Sequence, residues 1–316
     1  MIKQKIAFIF PGQGSQSVGM GKDLYENSVE AKRVFDYAND VLGKKITDIC
    51  FTGDEERLKE TVNTQPCIVA TSLACLEALK SQCDIKPSFV AGHSLGEYCA
   101  LFAAGVMDLK TTFLAIQKRA ELMQESANGG KMAAILNAPD EVIQRGLSEG
   151  NKFGYVDIAN YNSPVQVVIT GDEAAINKVG EYVLANGAKR FVPLAVSGAF
   201  HSKYMKNAAY DFAEFVRNIP LFDAKIPVIT NVDAEITEFA EDFREKMPRQ
   251  ISSSVHWTQT IEKMAENGIE HFIEIGSGKV LSGLTKKTVP EARVYSIFDV
   301  ASLNETVEIL TKEGVI

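Results

Sequence analysis

The stretch Phe89-Val90-Ala91-Gly92-His93-Ser94-Leu95-Gly96 sets a short apolar run directly before a Gly-x-Ser-x-Gly pentad, and helical character follows from Gly96 to Ala104. An apolar run of this length, closed by glycine, reads as a strand buried on both faces. A serine between that strand and a helix sits on a sharp turn with no room for bulky neighbours, so glycine is needed on both sides. The turn lifts the Ser94 hydroxyl to the mouth of the sheet. The helix starting near Gly96 aims its positive end at that hydroxyl, and the Leu95 N–H can serve an oxyanion. Ser94 is thus read as a nucleophile; the plain alternative is a structural serine in a tight turn.

Outward from this turn, strand-like and helix-like segments alternate through the first 125 residues. Met1 to Ile6 runs straight into the apolar stretch Ile6 to Phe10, which ends at Pro11-Gly12. Helices are predicted around 22–42, 54–61 and 67–81, and from Leu109 to Ser126. Alternation of this kind implies a mostly parallel sheet with helices on both faces. With a nucleophile turn at its mouth, this large unit is expected to be α/β-hydrolase-like. Asn128-Gly129-Gly130 marks a boundary. Beyond it, Met132 to Leu136, Tyr155 to Asn160, Val165 to Thr170 and Lys189 to Val196 read as strands. Pro139 to Leu147, with Pro139 near the first helical position, and Glu173 to Ala185 read as helices. The order β-α-β-β-α-β is ferredoxin-like. Residues 128–197 are therefore expected to form a small domain inserted into a large one made of 1–127 and 198–316. Pro227 to Val232 and His271 to Ile275 are expected to add strands to the large sheet.

Composition narrows the function. The chain has 316 residues, 46% hydrophobic and 23% charged, with a net charge of −8. A general nucleic-acid binder needs a basic surface, so that role is disfavoured. No apolar run approaches the ~18 residues of a membrane span, and no secretory signal is visible, so a cytoplasmic protein is expected. Five cysteines at 50, 67, 75, 83 and 99, with only four histidines, give neither a disulfide framework nor metal-site spacing.

A serine hydroxyl needs a base. His93 adjoins Ser94 in an extended turn, so its side chain should point elsewhere. His271 opens a buried strand, and His256 lies beside Trp257 in an irregular stretch. His201 stands where the chain leaves the inserted unit, and clefts between units are the usual place for sites. By elimination His201 leads; its alternative is a histidine at a helix start. The loop Phe10-Pro11-Gly12-Gln13-Gly14-Ser15-Gln16 fails both the dinucleotide and the phosphate-loop patterns. A second oxyanion donor, the Gln13 amide, is the better reading, against a plain tight turn. Arg119 flanks the apolar stripe Leu109, Phe113, Ile116, Ala120 and Met123. A guanidinium there needs an anion. Read from the residues alone, that anion is either a protein carboxylate or a substrate carboxylate held bidentately.

Taken together these residues resemble the malonyl-CoA:acyl carrier protein transacylase family of bacterial fatty-acid synthesis, over essentially the whole chain. The matching stretches are Phe10 to Gln16 with Val18-Gly19-Met20-Gly21, Thr64-Gln65-Pro66, Gly92 to Tyr98, Arg119, Met132-Ala133-Ala134, Asn160 to Pro164, Phe200-His201-Ser202, Gln250 and Glu274-Ile275-Gly276. The resemblance implies that Ser94 carries the acyl group and His201 is the base, oriented by the backbone carbonyl of Gln250. It implies an oxyanion hole of the Gln13 and Leu95 amides. Arg119 would grip the malonyl carboxylate, with Gln65, Met132, Asn160, Asn162 and Phe200 around the substrate. The partners implied are malonyl-CoA and an acyl carrier protein, with no nucleic acid, no membrane, no metal and no bound cofactor. A related esterase or thioesterase would share Ser94 and His201 without needing Arg119, and a binding module would need none of the three. In one departure from the pattern, Ser254 stands where relatives often have proline before the Val-x-Trp segment.

Overall fold

The computed structural model describes residues 5–127 and 129–316. Met1 to Gln4, which run into the expected strand Ile6 to Phe10, and Asn128, at the expected boundary, lie outside them. Among the described residues ten strands form two sheets: β1 Lys5–Phe10, β2 Phe89–Gly92, β3 Lys131–Leu136, β4 Val156–Ser163, β5 Gln166–Gly171, β6 Arg190–Pro193, β7 Val228–Ile229, β8 Ile236–Thr237, β9 Ile269–Ile275 and β10 Arg293–Ile297. The larger sheet has the order β10-β9-β1-β2-β7-β8 and is parallel except for the β7/β8 pair. The smaller sheet is antiparallel, in the order β4-β5-β3-β6.

Strand alternation explains the layers of the large sheet. Ile6, Phe8 and Phe10 of β1 pack into one core with Ile273, Ile275 and the helix Thr61–Gln82. Ala7 and Ile9 face a second core with Phe272, Trp257, Ile261 and Leu284. Both faces are covered, so β1 is apolar without a break from Ile6 to Phe10, and each fully buried phenylalanine contributes roughly 1.5–3 kcal/mol. In the small sheet, Ala133, Ile135, Ile158 and Ile169 pack under the helices Asp140–Gly150 and Glu173–Ala185. Its other face turns Met132, Ala134, Asn160 and Val168 toward the large unit.

Some sequence expectations shift. The helix expected over 22–42 is two, Lys22–Asn27 and Val29–Leu42, because Ser28 is extended (φ −128°) and its hydroxyl caps the second by accepting from the Ala31 N–H. The helix expected over 67–81 begins at Thr61 and runs through Pro66. Proline leaves the Val62 carbonyl without its helical donor, and Lys44 Nζ donates to that oxygen at 2.7 Å. Pro139 is the N-cap and not the first helical residue. Of the 227–232 run only Val228–Ile229 is strand, and of 189–196 only Arg190–Pro193. His256 does lie in the irregular stretch before Trp257, as the residue directly ahead of the helix Trp257–Glu266, and its side chain makes no capping bond.

The units are stitched together at backbone level. Val255 N donates to Ala159 O (2.8 Å), Tyr161 N to Val255 O (2.9 Å), and the Ser254 hydroxyl to Ile158 O (2.6 Å). Proline at 254 would have no such hydroxyl. This seam holds β4 over the carboxyl ends of the large sheet's strands.

Candidate active site

Ser94 follows β2 and opens a short 3-10 turn, Ser94–Gly96, that leads into the helix Glu97–Ala103. Its φ is +52°, a region that costs a non-glycine residue of order 1–3 kcal/mol. The flanking glycines are sterically required. A Cβ on Gly92 would lie 1.9 Å from Gly96 C, and one on Gly96 would lie 2.2 Å from Phe10 O.

The Ser94 hydroxyl lies 2.8 Å from His201 Nε2. On the far side of the ring, Nδ1 lies 3.0 Å from the Gln250 carbonyl and 3.1 Å from the Ser253 carbonyl. Two acceptors at Nδ1 hold the proton there, leaving Nε2 as the acceptor for the serine O–H. Burial, then the nearby Arg119 charge, pushes His201 down to about 3, so the imidazole is neutral and available as a base. Among the described residues no carboxylate hydrogen-bonds it.

Arg119, 1% exposed, comes from the helix Leu109–Glu125. Nη1 donates to Gln65 Oε1 at 2.6 Å, and Nη2 donates to Ser94 Oγ and Gln250 Oε1, both at 3.0 Å. Its guanidinium lies over the Tyr98 ring, 5.6 Å from the centroid. Of the two anions open at the sequence level, the protein carboxylate is not hydrogen-bonded to Arg119 in the described structure. Buried Glu97 is near enough to act through space, but its carboxylate binds the Asn231 N–H at 2.7 Å, and burial pushes it up to about 7. The charge of Arg119 is therefore aimed at the cleft.

That cleft encloses about 440 Å³ between the two sheets. Gln13, Ser94, Arg119, His201, Met132, Asn160, Asn162 and Phe200 line it. Gln65 and Gln250 stand behind Arg119. The Gln13 amide donates to no protein group in the described structure. The Leu95 amide lies in the first turn of a helix, where N–H groups have no intrahelical carbonyl. His93 makes no hydrogen bond to the Ser94 hydroxyl; its Nε2 lies 2.8 Å from Asn162 Oδ1, and its ring lines the same cleft. Sequence reading missed the Ser253 carbonyl, Glu97 and Asn231. A buried polar residue just past a strand of the parallel sheet was the available signal for Asn231. Among the described residues no cluster of three or more His, Cys, Asp or Glu could hold a metal. The four buried cysteines and half-buried Cys83 are free thiols.

A parallel α/β sheet with a serine at its mouth, a neutral histidine against it and a cation in the same cleft defines an acyltransferase; residues 7–308 match the acyl transferase domain. The malonyl CoA-acyl carrier protein transacylase of Bacillus subtilis is 44% identical over 316 residues, covering 98% of each chain. The acyl carrier protein S-malonyltransferase of Vibrio cholerae superposes with a TM-score of 0.92 at 39% identity, over 96% of this chain and all of that one. A malonyl-transacylase solved in complex with a type II polyketide-synthase acyl-carrier protein gives 0.94 at 39%, over 97% of this chain and all of that one. The chain belongs to the malonyl CoA-acyl carrier protein transacylase family.

Proposed function

We infer that this enzyme moves a malonyl group from malonyl-CoA to the phosphopantetheine thiol of acyl carrier protein through a malonyl-Ser94 intermediate, supplying fatty-acid synthesis. The observation that carries this reading is a hydroxyl placed 2.8 Å from a neutral histidine and 3.0 Å from a buried guanidinium to which, among the described residues, no carboxylate is bonded. Nucleophile, base and carboxylate receptor converge on a single point.

Ser94 Oγ attacks the thioester carbonyl as its proton passes to His201 Nε2. The Gln13 and Leu95 amides hold the tetrahedral oxyanion, while the carbonyls of Gln250 and Ser253 keep the Nδ1 proton in place. His201 then gives its proton to the departing coenzyme A sulfur. The carrier thiol enters, loses its proton to His201 and reverses the steps. The malonyl carboxylate takes the Arg119 donors that now reach Ser94 and Gln250, with Gln65 holding the other end of the fork. Asn160, Asn162, Met132 and Phe200 wall the acyl group. Thioester is exchanged for thioester, so the cycle as proposed draws on no bound cofactor or metal. No helix among the described residues is long and apolar enough to cross a membrane, and we place the reaction in the cytoplasm.

Intact-mass measurement after mixing with malonyl-CoA tests this. A stable malonyl adduct is expected on the wild type and none on Ser94→Ala. Release of free malonate without an adduct would instead identify a hydrolase, and an adduct on Ser94→Ala would remove Ser94 from its role.

A further inference from the structure

Asn231 lies two residues past β7, the strand beside β2, and the register Val90 opposite Val228 sets it level with the turn at Ser94. It is fully buried and does not line the cleft. Its side chain spans the nucleophile turn. Oδ1 accepts from the Ser94 N–H at 2.6 Å, and Nδ2 donates to the Gly92 carbonyl at 2.7 Å. The rest of Asn231 is held as firmly. Its own N–H donates to Glu97 Oε2 at 2.7 Å, and its carbonyl accepts from His256 N at 2.9 Å. Every polar group of the residue is engaged.

We propose that Asn231 is a positioning residue for the nucleophile, clamping the strained turn from both sides so that Ser94 Oγ stays in line with His201. The proposal rests on Ser94 being the acylated residue. The Ser94 backbone sits at φ +52°, and a turn held in such a conformation persists only where its surroundings over-determine it. Gln250 Nε2 supplies a second hold by donating to the Ser94 carbonyl at 2.9 Å, but among the described side chains Asn231 alone grips both limbs. It also occupies the Ser94 N–H, leaving the Gln13 and Leu95 amides to the oxyanion.

The variant Asn231→Asp gives a signature that ordinary packing damage would not. A neutral carboxylic acid reproduces the amide, with a carbonyl to accept from Ser94 N and an O–H to donate to Gly92 O. Once ionised it only accepts, and it opposes the Gly92 carbonyl. The charged groups around it are Glu97 on the following helix, Arg119 beside Glu97, and Asp233 on the same loop, itself paired with Lys246 at 2.9 Å. His256 also adjoins it, and Asp233 acts on that ring. With Glu97, Asp233, Arg119, Lys246 and His256 all at close quarters, the wild type at each pH is the reference. The experiment follows the rate of Ser94 labelling by a fluorophosphonate, which reports the nucleophile whatever its natural acyl donor, beside acylation by malonyl-CoA. Labelling by Asn231→Asp, relative to wild type, should approach wild type at low pH and fall about 10²-fold as pH rises, the scale of a small misplacement. The KM for malonyl-CoA should stay within about two-fold, since Asn231 does not touch the cleft. Asn231→Ser, too short to span both limbs, should be slow at every pH. Wild-type rates in both variants, or a loss in Asn231→Asp that does not depend on pH, would overturn the proposal. So would failure of both variants to fold, because Asn231 would then be holding the protein and not the turn. If the wild type labels with the fluorophosphonate but takes no malonyl group, the acyl donor has been misread and Asn231 can still be judged.

Discussion

Arg119 carries its charge in the core without a hydrogen-bonded carboxylate, and an acyl group lacking its own carboxylate would leave it so. A charge-assisted hydrogen bond contributes about 1.5–3 kcal/mol. Arg119→Ala should therefore lower malonyl transfer by about one to two orders of magnitude or more, and the preference over acetyl-CoA should shrink or invert. Lysine should rescue poorly, because Gln65 and Gln250 are set to hold a planar fork and not a point charge. The ratio of kcat/KM for the two thioesters decides it, and an unchanged ratio in Arg119→Ala would remove the residue from selectivity. His201 makes a second prediction. Its pKa drops from 6.5 to about 3 on folding. Between those values the unfolded chain binds a proton that the native site refuses, so this contribution to stability is present above 6.5 and lost as pH falls. Glu97, raised from 4.5 to about 7, has the opposite slope: its contribution is full below 4.5 and lost as pH rises. Single-turnover acylation should consequently show no acid limb at pH 6.5, the base staying neutral well below it. A limb at the ordinary histidine value would contradict the buried, neutral assignment.

At the scale of elements, legibility followed burial pattern. The strands β1 and β2 and the helix Glu173–Ala185 were readable because an unbroken apolar run or a clear period, bounded by Gly or Asn, admits few alternatives. Ser28 inside a helical stretch looks harmless until its hydroxyl turns back as a cap. Pro66 hid the first turn of the central helix because the compensating donor, Lys44, is 22 residues earlier. The site divides the same way. Ser94 and Arg119 are betrayed by a strained turn and by a charge in an apolar stripe, and elimination reached His201. The carbonyls of Gln250 and Ser253 leave no mark of residue type, since any side chain brings one. Gln250 was found only through the family resemblance, and Ser253 was not found. The role of Ser254, a hydroxyl on the seam between sheets, likewise depends on where Ile158 comes to rest.

At the scale of the molecule, the small antiparallel sheet has its own core under two helices, while Met132, Ala134, Ala159 and Val168 on its other face join a core of the large unit. Gly130 rests against Ala199 and Gly198 against Ala127, so the chain enters and leaves the small unit at one place. Residues 130–197 made alone should therefore fold, with a cooperative circular-dichroism melt; a structureless peptide would show that the unit depends on its host. The large sheet has the opposite character. Its central strand β1 pairs with β9, where Lys5 meets Ile269. During synthesis at ~5–20 residues per second, one edge of β1 must wait roughly 13–50 s for its neighbour to leave the ribosome. Through that interval the apolar β1 is an open edge in a crowded cell, while the small unit can already be closed. The enzyme's exposure to misassembly is thus written into the order in which its central sheet is translated.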